Sequence, residues 1–525
     1  MKRSILLLLC FITLGSYAQD LFSLELVPSS LTAPPAVHSG AFGEYNGKWF
    51  FIGGRKNGLH GFQPPFAFPT SGRNDSVFIV DPLLNQRWSA DVFALPDNIR
   101  EAVTSSNMEF YLQDSTLYMV GGYGWKDSIQ NFITWPTLTA VNIKALSNAV
   151  INGNSIAGCF RQMVDTNLAI CGAHLQKLDS TYYLVFGHRF DGYYDRSDTS
   201  GFNVQIYSNE IRKFQIADDG VNLSLYNYNA IRDTNNFRRR DYNLIPFRNP
   251  WKGEGLLAYS GVFRKGINLP YFNLIEIYPD TFIVRNDFSQ TLSQYHSAFC
   301  PLYDSINEIN HDVFFGGMSM YYVDSLGATI ADSMVPFVRT ISDVARDVDE
   351  NYHELNAGIK MPALLGTNAY FFMDANVPLY RNFVHVNKLG NHTRIGYICG
   401  GIESPDLNIN ATDPTLSFAS SRVFEVYTNK TTGFGKEVTD DVLDFYCYPN
   451  PAAKETEVCF ELKKTAQVKV SVMDLQGRLV TEVCNREFTT GKQKLLLNMS
   501  NYPKGVYNVV VTVNNRLKSI RLVHQ

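Results

Sequence analysis

The stretch "HRFDGYYDRSD" (His188 to Asp198) holds an imidazole, two guanidiniums, two phenols and three carboxylates within eleven residues. With Asp241, the carboxylates Asp191, Asp195 and Asp198 could supply a proton donor and acceptor of the kind that cleaves a glycosidic bond. Aspartates also make turns readily, so carboxylates in a loop carry little weight alone. His174, His296 and His353 stand singly, as structural imidazoles do. The run Arg238-Arg239-Arg240 suits a solvated loop and an anion site equally well. No GxSxG elbow, HExxH pair or phosphate loop is present. No CxxC or His/Cys cluster has zinc-ligand spacing, so neither a metal nor a cofactor is expected. Of eight cysteines, Cys10 lies in the leader, leaving seven and at least one unpaired within the chain. Cys159 and Cys171 are near enough in sequence to pair, though spacing alone does not establish it.

Those groups must be positioned in an exported chain. Lys2 and Arg3 precede an apolar core from Ile5 to Leu14, and Ser16-Tyr17-Ala18 offers small residues for a signal peptidase. Residues 1–18 read as a signal peptide, with Gln19 first in the mature chain. The apolar core is too short for a membrane span, which needs about 20 residues. A lipoprotein site at Cys10 is disfavoured by Leu8 and Leu9 before it. No later stretch is long and apolar enough to cross a bilayer, so a soluble exported chain is expected. A composition of 13% aromatic and 18% charged residues favours strands. A formal net charge of -4 gives no footprint for nucleic acid.

Apolar strands ending in glycine recur six times, at roughly 55 to 85 residue intervals: "WFFIGG" to Gly54, "LYMVGG" to Gly122, "YYLVFG" to Gly187, "LLAYSG" to Gly261, "VFFGG" to Gly317 and "YICGG" to Gly401. Each follows another strand and a turn, which predicts antiparallel hairpins. One such sheet cannot bury both faces, whereas six arranged radially can. The expected fold is all-β: a six-bladed β-propeller over residues 19–432, a linker over 433–445, and a small C-terminal antiparallel β-sandwich over 446–525. Short turns at Asn46-Gly47, Asp114-Ser115, Asp179-Ser180 and Gly390-Asn391 join first to second strands, while the connections after the glycines are long. Alternation puts the long connections on one face, where binding residues are expected. The candidates there are Arg55, His60, Trp125, His188, Arg189, Tyr193 and Tyr194, with Phe62, Phe66 and Tyr321 beside them. Aromatic faces with Arg and Asp suit sugars or peptides.

The Gly-Gly strand ending, then Asp81-Pro82 and Trp88, resembles the kelch motif. The first repeat matches best; Gly187 and Gly261 lack the doublet, and most repeats lack the tryptophan. The resemblance implies a propeller like the central domain of galactose oxidase. It suggests that "FSLELV" (Phe22 to Val27) closes the ring beside "SRVFEVY" (Ser421 to Tyr427). The Asp-box of sialidase propellers is absent. A ligand-, glycan- or protein-binding module is the leading reading, and a glycan-active lyase, oxidase or sugar isomerase the alternative. A convergent pocket of Arg, His and carboxylate would favour the enzyme, a flat aromatic face the binder. A copper oxidase would further need Tyr, His and Cys converging on the axis.

Asp-Ser followed by an apolar residue or Thr recurs at Asp75, Asp114, Asp127, Asp179, Asp304, Asp324 and Asp332. It resembles an O-glycosylation signal of some exported Gram-negative proteins, and also simply makes hairpin turns. In the tail, Val468, Val470 and Val472 alternate with Lys469 and Ser471, as in a half-buried strand. Asp474 to Gly477 and Asn514-Asn515 read as turns. "YPNP" with Pro449, Asn450 and Pro451, then Asp474 and Gly477, then Gly505 and Tyr507, closely resembles the type A sorting domain of the type IX secretion system. That resemblance implies a partner, the type IX machinery, and display or release at the cell surface, including attachment to lipopolysaccharide. "YPNP" is expected to be a stiff extended lead-in, and Gly505 to sit in a turn that a side chain would strain.

Overall fold

The structure, a computed structural model, describes residues 22–195, 197, 203–292, 295–324, 328–409, 413–430, 442–474, 479–513 and 516–525. The leader, residues 431–441 of the polar segment, Asp198, Gly477 and the Asn514-Asn515 turn lie outside the described residues.

Residues Ser23–Asn429 form one compact unit, a β-propeller. Among the described residues, six main sheets, largely antiparallel, follow one another along it: four have four strands, one has five and one has six. The first is built from Ala41–Tyr45, Lys48–Ile52, Ser76–Asp81 and Gln86–Asp91. The first strands of the sheets are Ala41–Tyr45, Glu109–Gln113, His174–Leu178, Asn243–Asn249, Ala298–Asp304 and Leu364–Met373. They lie against one another around the axis. Burial explains the run of apolar second strands: Phe50, Phe51 and Ile52 in one sheet and Val313, Phe314 and Phe315 in another are at most 1% exposed. Both faces of each inner sheet are packed against neighbouring sheets, so these strands read as continuous apolar runs. The last sheet takes its outer strand, Phe22–Pro28, from the N-terminal end beside Val423–Lys430, as expected.

Among the described residues, two α-helices interrupt the strands. Ile143–Ile151 starts at Asn142, whose side chain accepts from Ala145 N, and buries Leu146 and Val150 in the core shared with the first sheet. Asp97–Val103 leads into the second sheet.

Turn conformation supports the hairpin reading: Asn46, Asp114 and Asp179 have φ of 50°, 54° and 50°, the left-handed region that Asn and Asp tolerate. The last sheet departs from it. Gly390-Asn391 does not close a short hairpin, because the first and second strands there, Leu364–Met373 and His392–Ser404, are separated by residues 374–391. Within that insertion, Phe383–His385 pairs parallel with the inner strand Ala298–Asp304 of the preceding sheet. Tyr303 packs on Tyr380, and Asn387 Nδ2 donates to Asp304 Oδ1 at 2.8 Å. A glycine-asparagine signal thus marks the end of an insertion, and the insertion lies at the Asp304 end of the inner strand, opposite the long loops.

Five second strands end in a left-handed pair, and the sixth, His392–Ser404, carries the same pair within it at Gly400-Gly401. The four doublets have φ from 64° to 94°, and Phe186-Gly187 and Ser260-Gly261 adopt the same shape at 55°/80° and 50°/86°. The missing glycines therefore do not change the backbone. At Gly54 the requirement is also steric, since a Cβ would lie 2.2 Å from the His38 carbonyl oxygen.

Lys430–Gln525 form the second unit. Two sheets, one of Val442–Tyr448, Glu455–Leu462 and Gly491–Asn498, the other of Leu479–Phe488, Ala466–Met473, Gly505–Val513 and Arg516–His524, face each other as a sandwich. Val468, Val470 and Val472 are fully buried between them. The first strand was not expected: it begins at Val442, inside the segment read as linker. "YPNP" is stitched down within this unit, so it is no free lead-in. Asn450 Nδ2 donates to Arg521 O at 2.7 Å, and Val523 N donates to Asn450 Oδ1 at 2.9 Å. Gly505 has open space where a Cβ would go, contrary to the strained turn expected of it. Asp474 follows the strand Ala466–Met473, as read from the sequence.

Candidate functional site

The left-handed pairs aim the next residue of each sheet at the axis. Those residues are Arg55, Tyr123, His188, Val262, Met318 and Ile402, and all six line one cavity of about 760 Å³ at the ring mouth. Each pairs with a residue near the start of its inner strand: His38, Ser106, Cys171, Arg240 and Tyr295 just ahead of it, and Thr367 within Leu364–Met373. These six line the same cavity.

One residue further on, Ser39, Asn107, Gly172, Asp241, His296 and Asn368 all have φ between 26° and 63°. Backbone hydrogen bonds link them around the axis: Asn107 N to Ser39 O at 2.9 Å, Gly172 N to Asn107 O at 3.3 Å, Asp241 N to Gly172 O at 3.0 Å, and Asn368 N to His296 O at 3.0 Å. Asn368 Nδ2 joins the last of these residues to the first through Ser39 Oγ at 2.9 Å. Four of these residues (Ser39, Asn107, Asp241 and Asn368) line the cavity.

The cavity wall is polarised. The first three sheets place Arg55, Tyr123 and His188 at the key position, and the last three place Val262, Met318 and Ile402 there. Arg238 and Arg240 stand next to His188. Arg238 lies 3.9 Å over the Tyr207 ring, Arg240 lies 4.9 Å over Phe263, and Arg240 Nη1 is 3.3 Å from His188 Nε2. A guanidinium and an amide nitrogen only donate, and Gln205 Nε2 lies 2.9 Å from His188 Nδ1, so donors face both ring nitrogens and the neutral ring accepts at one of them. Burial, then the charges of Arg240 and Arg238, holds the His188 pKa well below its usual value, and the ring is neutral. Burial works against the Arg240 charge, but Asp241 and the nearby tyrosines outweigh it and raise the pKa. The Arg240–Asp241 pair is long, at 3.5 Å, and the buried Arg240 Nε has no acceptor among the described residues. Leaving a buried donor unmatched costs about 1–3 kcal/mol.

Arg55 is 6% exposed, with Nε on Asn57 Oδ1 at 2.9 Å and Nη2 on Pro69 O at 2.7 Å. Burial lowers its pKa to about 10, so it stays charged at neutral pH. His38 is lowered to about 4, chiefly by burial and secondarily by Arg55.

Of the residues chosen from the sequence, Arg55, His60, His188 and Tyr194 line the cavity, as do Phe62, Asp195 and Asp241. Trp125, Arg189, Tyr193, Phe66 and Tyr321 do not. Trp125 and Tyr193 stack in a loop cluster around Phe132, with ring centroids 5.1 and 5.5 Å from it. Arg189 pairs with Asp191 at 2.6 Å, and its side chain is half exposed. Reading Arg238-Arg239-Arg240 as a solvated loop is corrected. Arg239 is fully buried on the carbonyls of Asn236, Ser260 and Asn273, while Arg238 and Arg240 face the cavity. His174 and His296 are not isolated either, with rings 5.5 Å apart. Tyr123, Val262, Met318 and Ile402 were missed, although their place directly after each strand-Gly ending marks them in the sequence.

Tyr123, Cys171 and His188 do converge, the combination a copper oxidase would need. Hydrogen-bond donors face both His188 nitrogens, however, and two guanidiniums stand beside the ring, a poor setting for a cation. Among the described residues no group of three His, Cys, Asp or Glu could hold a metal. The seven described cysteines are all free thiols. Of the Asp-Ser serines, Ser128, Ser180 and Ser333 are exposed.

Residues 446–525 match the family described as "Secretion system C-terminal sorting domain". They carry a type IX sorting signal, and the chain is exported to the cell surface or secreted. No helix among the described residues is long and apolar enough to cross a membrane. No curated protein matches the chain. The solved structure described as YjhT is 9% identical, covering 75% of this chain and 95% of its own at a TM-score of 0.44. PorZ, a surface component of the type-IX secretion system of Porphyromonas gingivalis, is 10% identical, covering 94% and 99% at a TM-score of 0.13. A glycoside hydrolase family 43 arabinoxylan arabinofuranohydrolase from Bacillus subtilis is 10% identical, covering 94% and 96% at 0.29.

Proposed function

We propose that the exported chain is a six-bladed, kelch-like propeller that binds a small ligand, or the end of a glycan or peptide, in the cavity at its ring mouth. The observation that supports this is positional. Twelve equivalent positions, two per sheet, all face one 760 Å³ space, a size typical of ligand pockets. The sorting domain delivers this cavity to the cell exterior through the type IX machinery. Trp125 and Tyr193 support the wall as loop packing, and Arg189 stays outside it.

The convergence of Arg240, His188 and Asp241 favours a second reading, catalysis on the bound ligand. Donors face both nitrogens of His188, and burial with two guanidiniums holds its pKa well below the usual value, a poor setting for a general base, so binding is the stronger reading. The test is a glycan and peptide array probed with the full chain and with Asn268→Trp and Met334→Trp. Both residues are exposed and line the cavity, so each change obstructs the mouth while leaving the fold intact. Binding should fall in both variants and persist in Trp125→Ala. Binding indifferent to the two obstructing changes would overturn the reading.

A further inference from the structure

We infer that the ligand is an amphipathic anion, its oxyanion held by Arg238 and Arg240 and its apolar end laid against Val262, Met318 and Ile402. This rests on the cavity being the binding site. Among its described lining residues, three guanidiniums (Arg55, Arg238, Arg240) face two carboxylates, Asp195 and Asp241, while the imidazoles of His38 and His188 are neutral. The excess is positive, and it is not spread evenly. Arg238 and Arg240 flank His188 on one side, each laid on an aromatic face, Tyr207 or Phe263.

Among the described residues, the carboxylate paired with either is Asp241, 3.5 Å from Arg240 Nη1 and also 3.3 Å from the Tyr295 hydroxyl, which donates to it. Asp241 therefore satisfies neither the whole guanidinium nor its buried Nε. An incoming carboxylate or sulfate offers the acceptors that Arg240 lacks, and a planar guanidinium pairs with such groups by two parallel hydrogen bonds. The positions after the left-handed pairs in the fourth to sixth sheets are apolar, and they begin with Val262 directly beside Arg240. Val262, Met318 and Ile402 are 1%, 5% and 1% exposed, and they pair in register with Arg240, Tyr295 and Thr367. A ligand charged throughout would leave those side chains facing a desolvated charge, and a wholly apolar one would leave Arg240 unmatched.

The test uses fluorescent probes that share one apolar body: 4-methylumbelliferyl β-D-glucuronide, the corresponding glucoside, and 4-methylumbelliferyl sulfate. Each is titrated into the full chain by calorimetry. The glucuronide or the sulfate should bind at least about tenfold tighter than the glucoside, the order of the two assigning carboxylate or sulfate. Arg240→Gln and Arg238→Gln should erase that preference while retaining the weaker glucoside binding. Asn268→Trp should weaken all three. Equal affinity for glucuronide, sulfate and glucoside, all reduced by Asn268→Trp, would overturn the anion assignment and leave the cavity reading standing. Binding unaffected by Asn268→Trp would overturn the cavity reading itself. A preference that survives both arginine changes, or no saturable binding by any probe at millimolar concentration, also overturns the inference.

Discussion

Asn368 donates from its side-chain amide to the hydroxyl of Ser39 at 2.9 Å, across 329 residues of chain. That bond joins the last inner strand to the first, at the same level where backbone hydrogen bonds link the other sheets around the axis. The same sheet is completed by Phe22–Pro28 at its outer edge. Closure is therefore made twice, once at the axis and once at the rim.

Removing either closure should be felt by the whole propeller. Asn368→Ala should cost about 1–2 kcal/mol through loss of one side-chain hydrogen bond in a buried setting. Deleting residues 22–28 should cost more, because it bares the edge of Val423–Lys430. Urea midpoints of the full chain measure both, and an unchanged midpoint after the deletion would rule out closure by the N-terminal strand.

Positive φ occurs both at the doublets and in the turns, but crowding differs. At Gly54 (φ 80°) an added Cβ meets backbone at 2.2 Å, whereas at Gly47 (φ 75°) it meets nothing within 4 Å. Gly47→Ala should cost only the left-handed penalty of about 1–2 kcal/mol. Gly54→Ala adds a backbone collision and should cost several times more, of the order of 4 kcal/mol or above. Equal midpoints for the two variants would contradict the packing described at the ring mouth.

The doublets were legible because glycine is the usual residue for a crowded left-handed position, and they located six second strands. Phe186 and Ser260 hold the same conformation without glycine, which no local signal announces, since the neighbouring sheets enforce it. The insertion 374–391 was misread because Gly390-Asn391 looks like any hairpin turn, and what distinguishes it is pairing with a strand some eighty residues away. The cavity was half legible. Arg55 and His188 stand out as polar residues after a glycine, but Val262, Met318 and Ile402 look like ordinary strand ends until the repeats are superposed. Arg238 and Arg240 reach His188 only because the loops of adjacent sheets meet at the mouth.

Buried imidazoles make the propeller sensitive to acid. Burial lowers the pKa of His174 to about 3, with His296 a second cause, and that of His296 to about 4. The unfolded chain takes up a proton at each near pH 6.5, while the folded chain does so only near 3 to 4. The contribution of these two groups is thus flat above pH 6.5 and falls as pH drops below it. Between pH 6.5 and 4.5 each contributes a loss of about 2–3 kcal/mol. His174→Gln keeps a donor for the Tyr242 carbonyl, which His174 Nε2 approaches at 2.7 Å, and removes one titrating group. Its urea midpoint should decline less steeply with acidification than that of the parent, and parallel curves would refute the assignment.

The tail offers a separation of folding from recognition. Removing residues 446–525 should leave the propeller folded but held in the periplasm, since its sheets draw no strand from that segment. Grafting the segment onto an unrelated exported protein should send that protein to the surface. Two point changes then divide the causes. Asn450→Ala removes two hydrogen bonds to the last strand, at 2.7 and 2.9 Å, and should destabilise the sandwich by about 1–3 kcal/mol. Gly505→Ala meets no atom within 4 Å and should leave the sandwich as stable as before. If Gly505→Ala nonetheless retains the protein inside the cell, the machinery reads the surface around Gly505 directly. If only Asn450→Ala does so, export depends on the folded sandwich and not on that glycine. Surface labelling of intact cells, with melting curves of the purified variants beside it, decides between them. Surface display of the chain truncated at 446, in a host with an intact type IX machine, would show that the address lies elsewhere.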